Sequence, residues 1–300
     1  YLWAPVAIIV LPFVLIASAN STTRAIGVAS IVLYLATFDG SHKTAPASKP
    51  WPFFINLPIV RYVLEWLPIK IRRTTELDKD QLYVFACHPH GTLAFNRGAV
   101  GFSTDTLWDA AFPGIKFRVL TATAAFFVPF IRELWLWSYC VDASKPTAVR
   151  AMQVEKSSVF VYPGGEKEQL ETVYGEQRVF LKSRKGFVKL AIEQGAHLVP
   201  VYAFGETNLY SHSQFLIGFR KWLVNKFGVA VPLLWGQYGL MPYKTAVTLV
   251  FGKPIVVTKK ANPSQAEVSE MHKEYITALT QLFEQHKESL GYGNKELMIL

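Results

Sequence analysis

The residues best suited to moving protons stand together at His88-Pro89-His90-Gly91, directly after an apolar run at 82–86. That run reads as a strand, and the carboxyl end of a strand in an open α/β sheet is where sites are built. Side chains at i and i+2 of an extended backbone point to the same side, and Pro89 favours extended geometry at His88. An imidazole near neutrality is then available as a general base, and Gly91 lets a substrate approach the backbone closely.

A second group, Tyr162-Pro163-Gly164-Gly165-Glu166-Lys167-Glu168, follows another apolar run at 158–162. The Pro-Gly-Gly turn brings Glu166 and Glu168 back to the sheet top, where a carboxylate can fix a histidine tautomer and support its positive charge. A third group, Lys182, Arg184, Lys185 and Lys189, surrounds Gly186 at the start of a helical stretch. Backbone N–H groups, the helix dipole and several cations together make an anion site suited to phosphates.

Other chemistries fail on inventory. Gly164-Gly165 lacks the spacing of a phosphate-binding loop, and Gly101-Phe102-Ser103-Thr104-Asp105 lacks the last glycine of a nucleophile elbow. The histidines at 197, 212, 272 and 286 do not stand at metalloprotease or deaminase spacing from one another or from His88 and His90, so no metal is expected. The basic groups are not interleaved with aromatics as in RNA-binding modules, so nucleic acid is not expected as a partner.

These groups need a frame. Apolar runs at 82–86, 117–120, 158–162, 198–202 and 247–251 lack period-two alternation, which predicts strands buried on both faces. Helical periodicity covers 147–156 and 183–194, the latter closed by Gly195. Ser264 and Glu267 form a capping box that opens a long helix ending near Gly291. The order predicts an α/β domain, a mostly parallel sheet flanked by helices. Its two cysteines, Cys87 and Cys140, are too few for a disulfide framework.

The 300 residues are 51% hydrophobic and only 18% charged, which points to a membrane. The first 38 contain one charge, Arg24. Prolines 5 and 12 and the short second apolar segment favour two kinked helices, a membrane hairpin at 1–40 ahead of a catalytic domain at 41–300. The basic flank from Lys43 to Arg73 puts the remainder on the cytosolic side. Residues 51–73 read as an interfacial segment in the headgroup layer, and the Gly- and Pro-broken stretch 227–243 as a membrane-dipping loop or a lid. A net charge of +9 suits anionic headgroups or a phosphorylated co-substrate. A homo-oligomer is compatible with the sequence and not required by it.

His88-Pro89-His90-Gly91, the Pro163–Glu168 turn, the Arg184–Ala191 stretch and the Leu198–Glu206 stretch occur in the order and spacing of the type-2 diacylglycerol acyltransferases, which the chain resembles from about 51 to 290. The resemblance implies a glycerolipid-acyltransferase-like fold and an endoplasmic-reticulum enzyme, also found on lipid droplets. It further implies transfer of a fatty acyl group from acyl-CoA to a neutral lipid, usually diacylglycerol; monoacylglycerol acyltransferases and wax synthases share the motifs. Wider glycerolipid acyltransferases use His-x-x-x-x-Asp, but here Leu93 and Phe95 stand five residues after the histidines. The resemblance therefore points to Glu168, rather than Glu166, as the carboxylate. His90 is expected as base with His88 beside it, donors near Gly91 for the oxyanion, and Arg184, Lys185, Lys189, Gly164 and Gly165 for acyl-CoA. The apolar stretches 119–131 and 227–243 are expected to line acyl and glyceride channels. Acyl-CoA is a co-substrate and no bound cofactor is expected. A membrane-anchored protein that only binds or carries neutral lipid needs the same surface and differs by turnover.

Overall fold

β-Branched and aromatic residues fill the strands, and most strands are buried along their length, as a sheet covered on both faces requires. The computed structural model describes residues 11–300 except 13, 39, 44–49, 56, 103–106, 129–130 and 228–229. Strands β1 (Ile69–Arg73), β2 (Tyr83–His88), β3 (Phe117–Thr121), β4 (Cys140–Asp142) and β5 (Ser158–Val161) precede the short β6 (Gln177–Val179). Then come β7 (His197–Phe204), β8 (Ser211–His212), β9 (Leu234–Trp235), β10 (Val247–Phe251) and β11 (Leu297–Ile299).

Seven strands form one sheet in the order β1-β10-β7-β2-β5-β3-β4, with β2 at its centre. β7, β2, β5, β3 and β4 are parallel. β10 pairs antiparallel with β7 and carries β1 in its own direction, so the expected mostly parallel sheet has a reversed two-stranded edge. In β2, Tyr83, Phe85 and Cys87 face a layer that contains Trp108, Phe112 and Phe251. Val84 and Ala86 face a helical layer. That layer contains α4 (Lys145–Gln153), α6 (Gly186–Gln194) and α8 (Gln265–Lys287). Each buried Phe or Leu on these faces stabilises the fold by roughly 1.5–3 kcal/mol.

The helix signals hold. Gly195 closes α6 at φ 69°, and Ser264 and Glu267 exchange capping hydrogen bonds at the start of α8. Within residues 51–73, α2 (Pro58–Trp66) is helical and Ile69–Arg73 is an edge strand paired with β10. Its Lys70, Arg72 and Arg73 are exposed along that edge.

In the N-terminal part, the residues at 1–10 that would form the first arm of the hairpin lie outside the described residues. α1 (Ser21–Ala36) is capped by Asn20, whose side chain accepts the Thr22 and Thr23 N–H groups. Gly27 packs so closely on the preceding turn of chain that a Cβ would come within 2.8 Å of the Pro12 carbonyl oxygen. The apolar side chains Ile26, Val32 and Leu33 remain exposed, and Ser21–Lys43 is long and apolar enough to cross a membrane by length and composition. Its carboxyl end docks on α3 (Ile131–Trp137), where the Tyr34 hydroxyl donates to Glu133 at 2.7 Å and Arg132 donates to the Thr37 carbonyl at 2.7 Å.

Candidate active site

β2 ends at His88, and its neighbour β5 ends at Val161, one residue before the Tyr162-Pro163-Gly164 turn. The two loops therefore meet at the carboxyl edge of the sheet. Gly165, at φ +55°, opens α5 (Gly165–Glu171) and puts Glu168 in its first turn, fully buried. One Glu168 oxygen accepts the His90 backbone N–H; the other accepts the Phe180 N–H at 2.7 Å and lies 3.9 Å from His88 Nδ1. Gly164 makes room for that carboxylate, since a Cβ there would come within 2.5 Å of the carboxyl carbon. Gly164 thus serves Glu168.

The two histidine rings do not share surroundings, contrary to the expectation from i,i+2 spacing. His88 continues the inward face of β2 and is buried with its ring 6.1 Å from that of Tyr275 on α8. His90, beyond the strand and fastened by its amide to Glu168, is partly exposed and meets Tyr162 edge to face at 5.3 Å. His90 Nδ1 lies 2.9 Å from the Gly91 carbonyl, which can only accept, so Nδ1 carries the proton and Nε2 keeps a lone pair. Burial holds this imidazole below its ordinary pKa, against the raising effects of the Gly91 bond and of the Glu168 and Glu166 carboxylates.

The close approach at Gly91 is made by protein. With φ +63°, Gly91 packs on Glu206, and a Cβ would meet Glu206 Cγ at 2.5 Å and Oε1 at 2.8 Å. Glu206 follows β7, is buried, and accepts the Phe95 and Asn96 N–H groups at 2.7 and 2.8 Å. Asn96 in turn accepts the Tyr162 hydroxyl at 2.5 Å, which closes a ring of contacts under His90.

Of the basic residues, Arg184 donates to the Gly164 carbonyl at 3.2 Å, beside the Glu168 turn. Lys189 edges a groove of about 430 Å³ lined by Leu120, Lys145, Tyr162, Phe187 and Leu190. Tyr162 therefore joins this groove to the His90 ring. Lys185 points elsewhere, donating to Ser269 on α8 at 2.9 Å. The stretch at 119–131 divides, Val119 being buried in β3 while Phe127 and Ile131 reach the surface. Among the described residues, no three His, Cys, Asp or Glu side chains converge as metal ligands would.

A family model for diacylglycerol acyltransferases matches residues 21–300. The chain belongs to the diacylglycerol acyltransferase family. It is 34% identical to acyl-CoA wax alcohol acyltransferase 2 of Mus musculus, over 80% of this chain and 76% of that one. It is 32% identical to diacylglycerol O-acyltransferase 1 of Schizosaccharomyces pombe, over 86% and 77%. Among solved structures, the 1-acyl-sn-glycerophosphate acyltransferase PlsC of Thermotoga maritima matches with a TM-score of 0.38 at 14% identity, over 76% of this chain and 79% of that one. The protein is an acyl-CoA-dependent acyltransferase.

In this acyltransferase the residues that spacing did not single out are Glu206, Asn96 and Tyr162. The signal for Glu206 was its position: like His88 and Tyr162 it stands at the carboxyl end of a buried strand, and those strands are neighbours in the order β7-β2-β5. Burial raises the Glu206 pKa from 4.5 to about 7, despite the N–H groups of Asn96 and Phe95. A raised carboxyl pKa means that the folded state holds this proton more tightly. The associated stability is full below pH 4.5 and is lost as pH rises through about 7. Unfolding of the detergent-solubilised acyltransferase from pH 4.5 to 8 should show this decline, on the order of 3 kcal/mol, and Glu206→Gln should lack it. Parallel pH curves for the two proteins would contradict the assignment.

Proposed function

We propose that this acyltransferase moves a fatty acyl group from acyl-CoA to the free hydroxyl of diacylglycerol, forming triacylglycerol. His90 Nε2 takes the hydroxyl proton as the oxygen attacks the thioester carbonyl, and donors of the Gly91 turn face the tetrahedral oxyanion. The new C–O bond replaces the C–S bond, and the CoA thiolate leaves and takes up a proton. A thiolate is a good leaving group, so a positioned base suffices without an acyl-enzyme or a metal. The observation that carries this reading is the His90 imidazole, neutral, with Nδ1 engaged by the Gly91 carbonyl and Nε2 left to act. Glu168 holds the His90 amide, and α1 with the basic chain after it supports an enzyme of the endoplasmic-reticulum membrane and lipid droplets, its catalytic part in the cytosol.

The test incubates the purified protein with labelled acyl-CoA and diacylglycerol, monoacylglycerol or a long-chain alcohol. Free CoA with labelled triacylglycerol as the fastest-formed ester supports the proposal. A faster monoacylglycerol or alcohol reaction reassigns the acceptor, and lipid binding without CoA release makes the protein a carrier.

For acyl-CoA, Lys189 lines the groove, Arg184 stands at the Gly164 carbonyl in the turn after Tyr162, and Lys185 is turned to Ser269. Replacing Arg184 and Lys189 together by alanine should raise the apparent KM for acyl-CoA about 3- to 30-fold and reduce its salt sensitivity, with the acceptor KM unchanged. Lys185→Ala should do less. Equal effects from all three would mean a diffuse basic surface rather than a phosphate site.

A further inference from the structure

We propose that an arm formed by residues 211–226 and 230–241 is a second membrane contact of this chain, seating its aromatic face on a bilayer that carries anionic headgroups. It extends the reading above, in which the acceptor is a neutral lipid, to the surface that delivers it.

The charge pattern comes first. No acidic residue occurs between Glu206 and Glu267, whereas the arm and its flank hold Lys226 and Lys244 in addition to the buried Arg220 and to Lys221, which pairs with Glu171. A stretch of sequence that carries lysines and no acidic residue, beside exposed aromatics, has the composition of a surface that meets anionic lipid. On α7 (Ile217–Phe227), Phe219 and Trp222 are exposed and stacked at 5.7 Å, and the Lys226 ammonium stands 5.2 Å from the Trp222 ring. At the tip, Tyr238 is 86% and Leu240 78% exposed. Apolar groups held out in this way need a partner to cover them.

The arm is built to keep that shape. Arg220 is buried within it and donates to the carbonyls of Phe215 at 3.0 Å, Ser213 at 2.6 Å and Val231 at 3.4 Å. β8 and β9 pair at its base, and the Tyr210 hydroxyl donates to the Leu240 carbonyl at 3.0 Å.

Its position decides the orientation. The arm follows the carboxyl end of β7, the end of the sheet that also bears His90 and receives α1 on α3. A groove of about 540 Å³ runs between Leu93, three residues after His90, and Leu233, Trp235 and Leu240. A bilayer seated on the arm therefore opens onto the histidine loop. Lys221 pairs with Glu171 at 2.5 Å and fastens the arm to α5, the helix of Glu168.

The full chain in nanodiscs provides the test. An environment-sensitive label at Phe219→Cys or Leu240→Cys is compared with one at Val256→Cys, a 75% exposed site at the other end of the sheet; Cys87 and Cys140 are buried. With anionic nanodiscs the first two labels should shift to the blue and be quenched at least twofold by shallow nitroxide lipid, the third label remaining unchanged. Lys226→Glu with Lys244→Glu should weaken the quenching. No quenching at 219 and 240, equal quenching at 256, or a blue shift that follows protein concentration without lipid quenching overturns the proposal; the last would make the arm a self-association surface. The readout needs no turnover, so its failure is distinct from failure of acyl transfer.

Discussion

His90→Ala is expected to lower acyl transfer by about 100- to 10,000-fold, the range a positioned general base contributes, with protein level and membrane attachment unchanged. The loss should be in kcat, while the KM values for acyl-CoA and acceptor move little. Because burial holds His90 below its ordinary 6.5, the base is already free at neutral pH. The wild-type rate should rise with pH along a limb centred below 6.5, and the residual rate of the variant should lack that limb. His88→Ala has a different signature. Its ring is buried between Glu168 and Tyr275, so the variant should lose stability and only part of its activity. Full activity of His90→Ala at wild-type protein level would remove the histidine from the chemistry.

Legibility in the sequence followed burial. Val247–Phe251 was readable because five residues in a row are buried, and the Ser264–Glu267 box because its two hydrogen bonds are local. Whatever depends on partners distant in sequence was not. β10 has the same apolar signature whichever way it runs, so its reversal is set by pairing with β7. Ile69–Arg73 carries three cations, and its place as an edge strand is set by pairing with β10 far along the chain. The histidine motif was visible, but the i,i+2 rule stops where the strand stops, and the His90 backbone is held by Glu168 from the first turn of α5. Glu206 stood in a stretch recognised by its pattern; its task beneath Gly91 required the neighbouring strands to be known.

The second large effect concerns Glu168. In Glu168→Ala the half-buried His90 and Phe180 N–H groups lose their acceptor, at about 1 kcal/mol each, and the loop that carries His90 is no longer fastened. A fall in kcat of about 100-fold or more should follow, with small changes in KM. Glu168→Gln keeps one carbonyl oxygen but turns an NH₂ towards a donor, so it should recover stability only in part. The Glu168 charge raises the His90 pKa, and its removal in Glu168→Gln should therefore move the rising limb to lower pH. Gly164→Ala tests position separately from charge, because its methyl group overlaps the Glu168 carboxylate and must push it aside. If Glu168 acts by holding the His90 loop, Gly164→Ala should reproduce most of the kcat loss, and the double variant should be little worse than Glu168→Ala alone. Additive losses would mean that the glycine and the glutamate serve separate tasks. An unchanged rate and pH limb in Glu168→Gln would leave His90 without its partner.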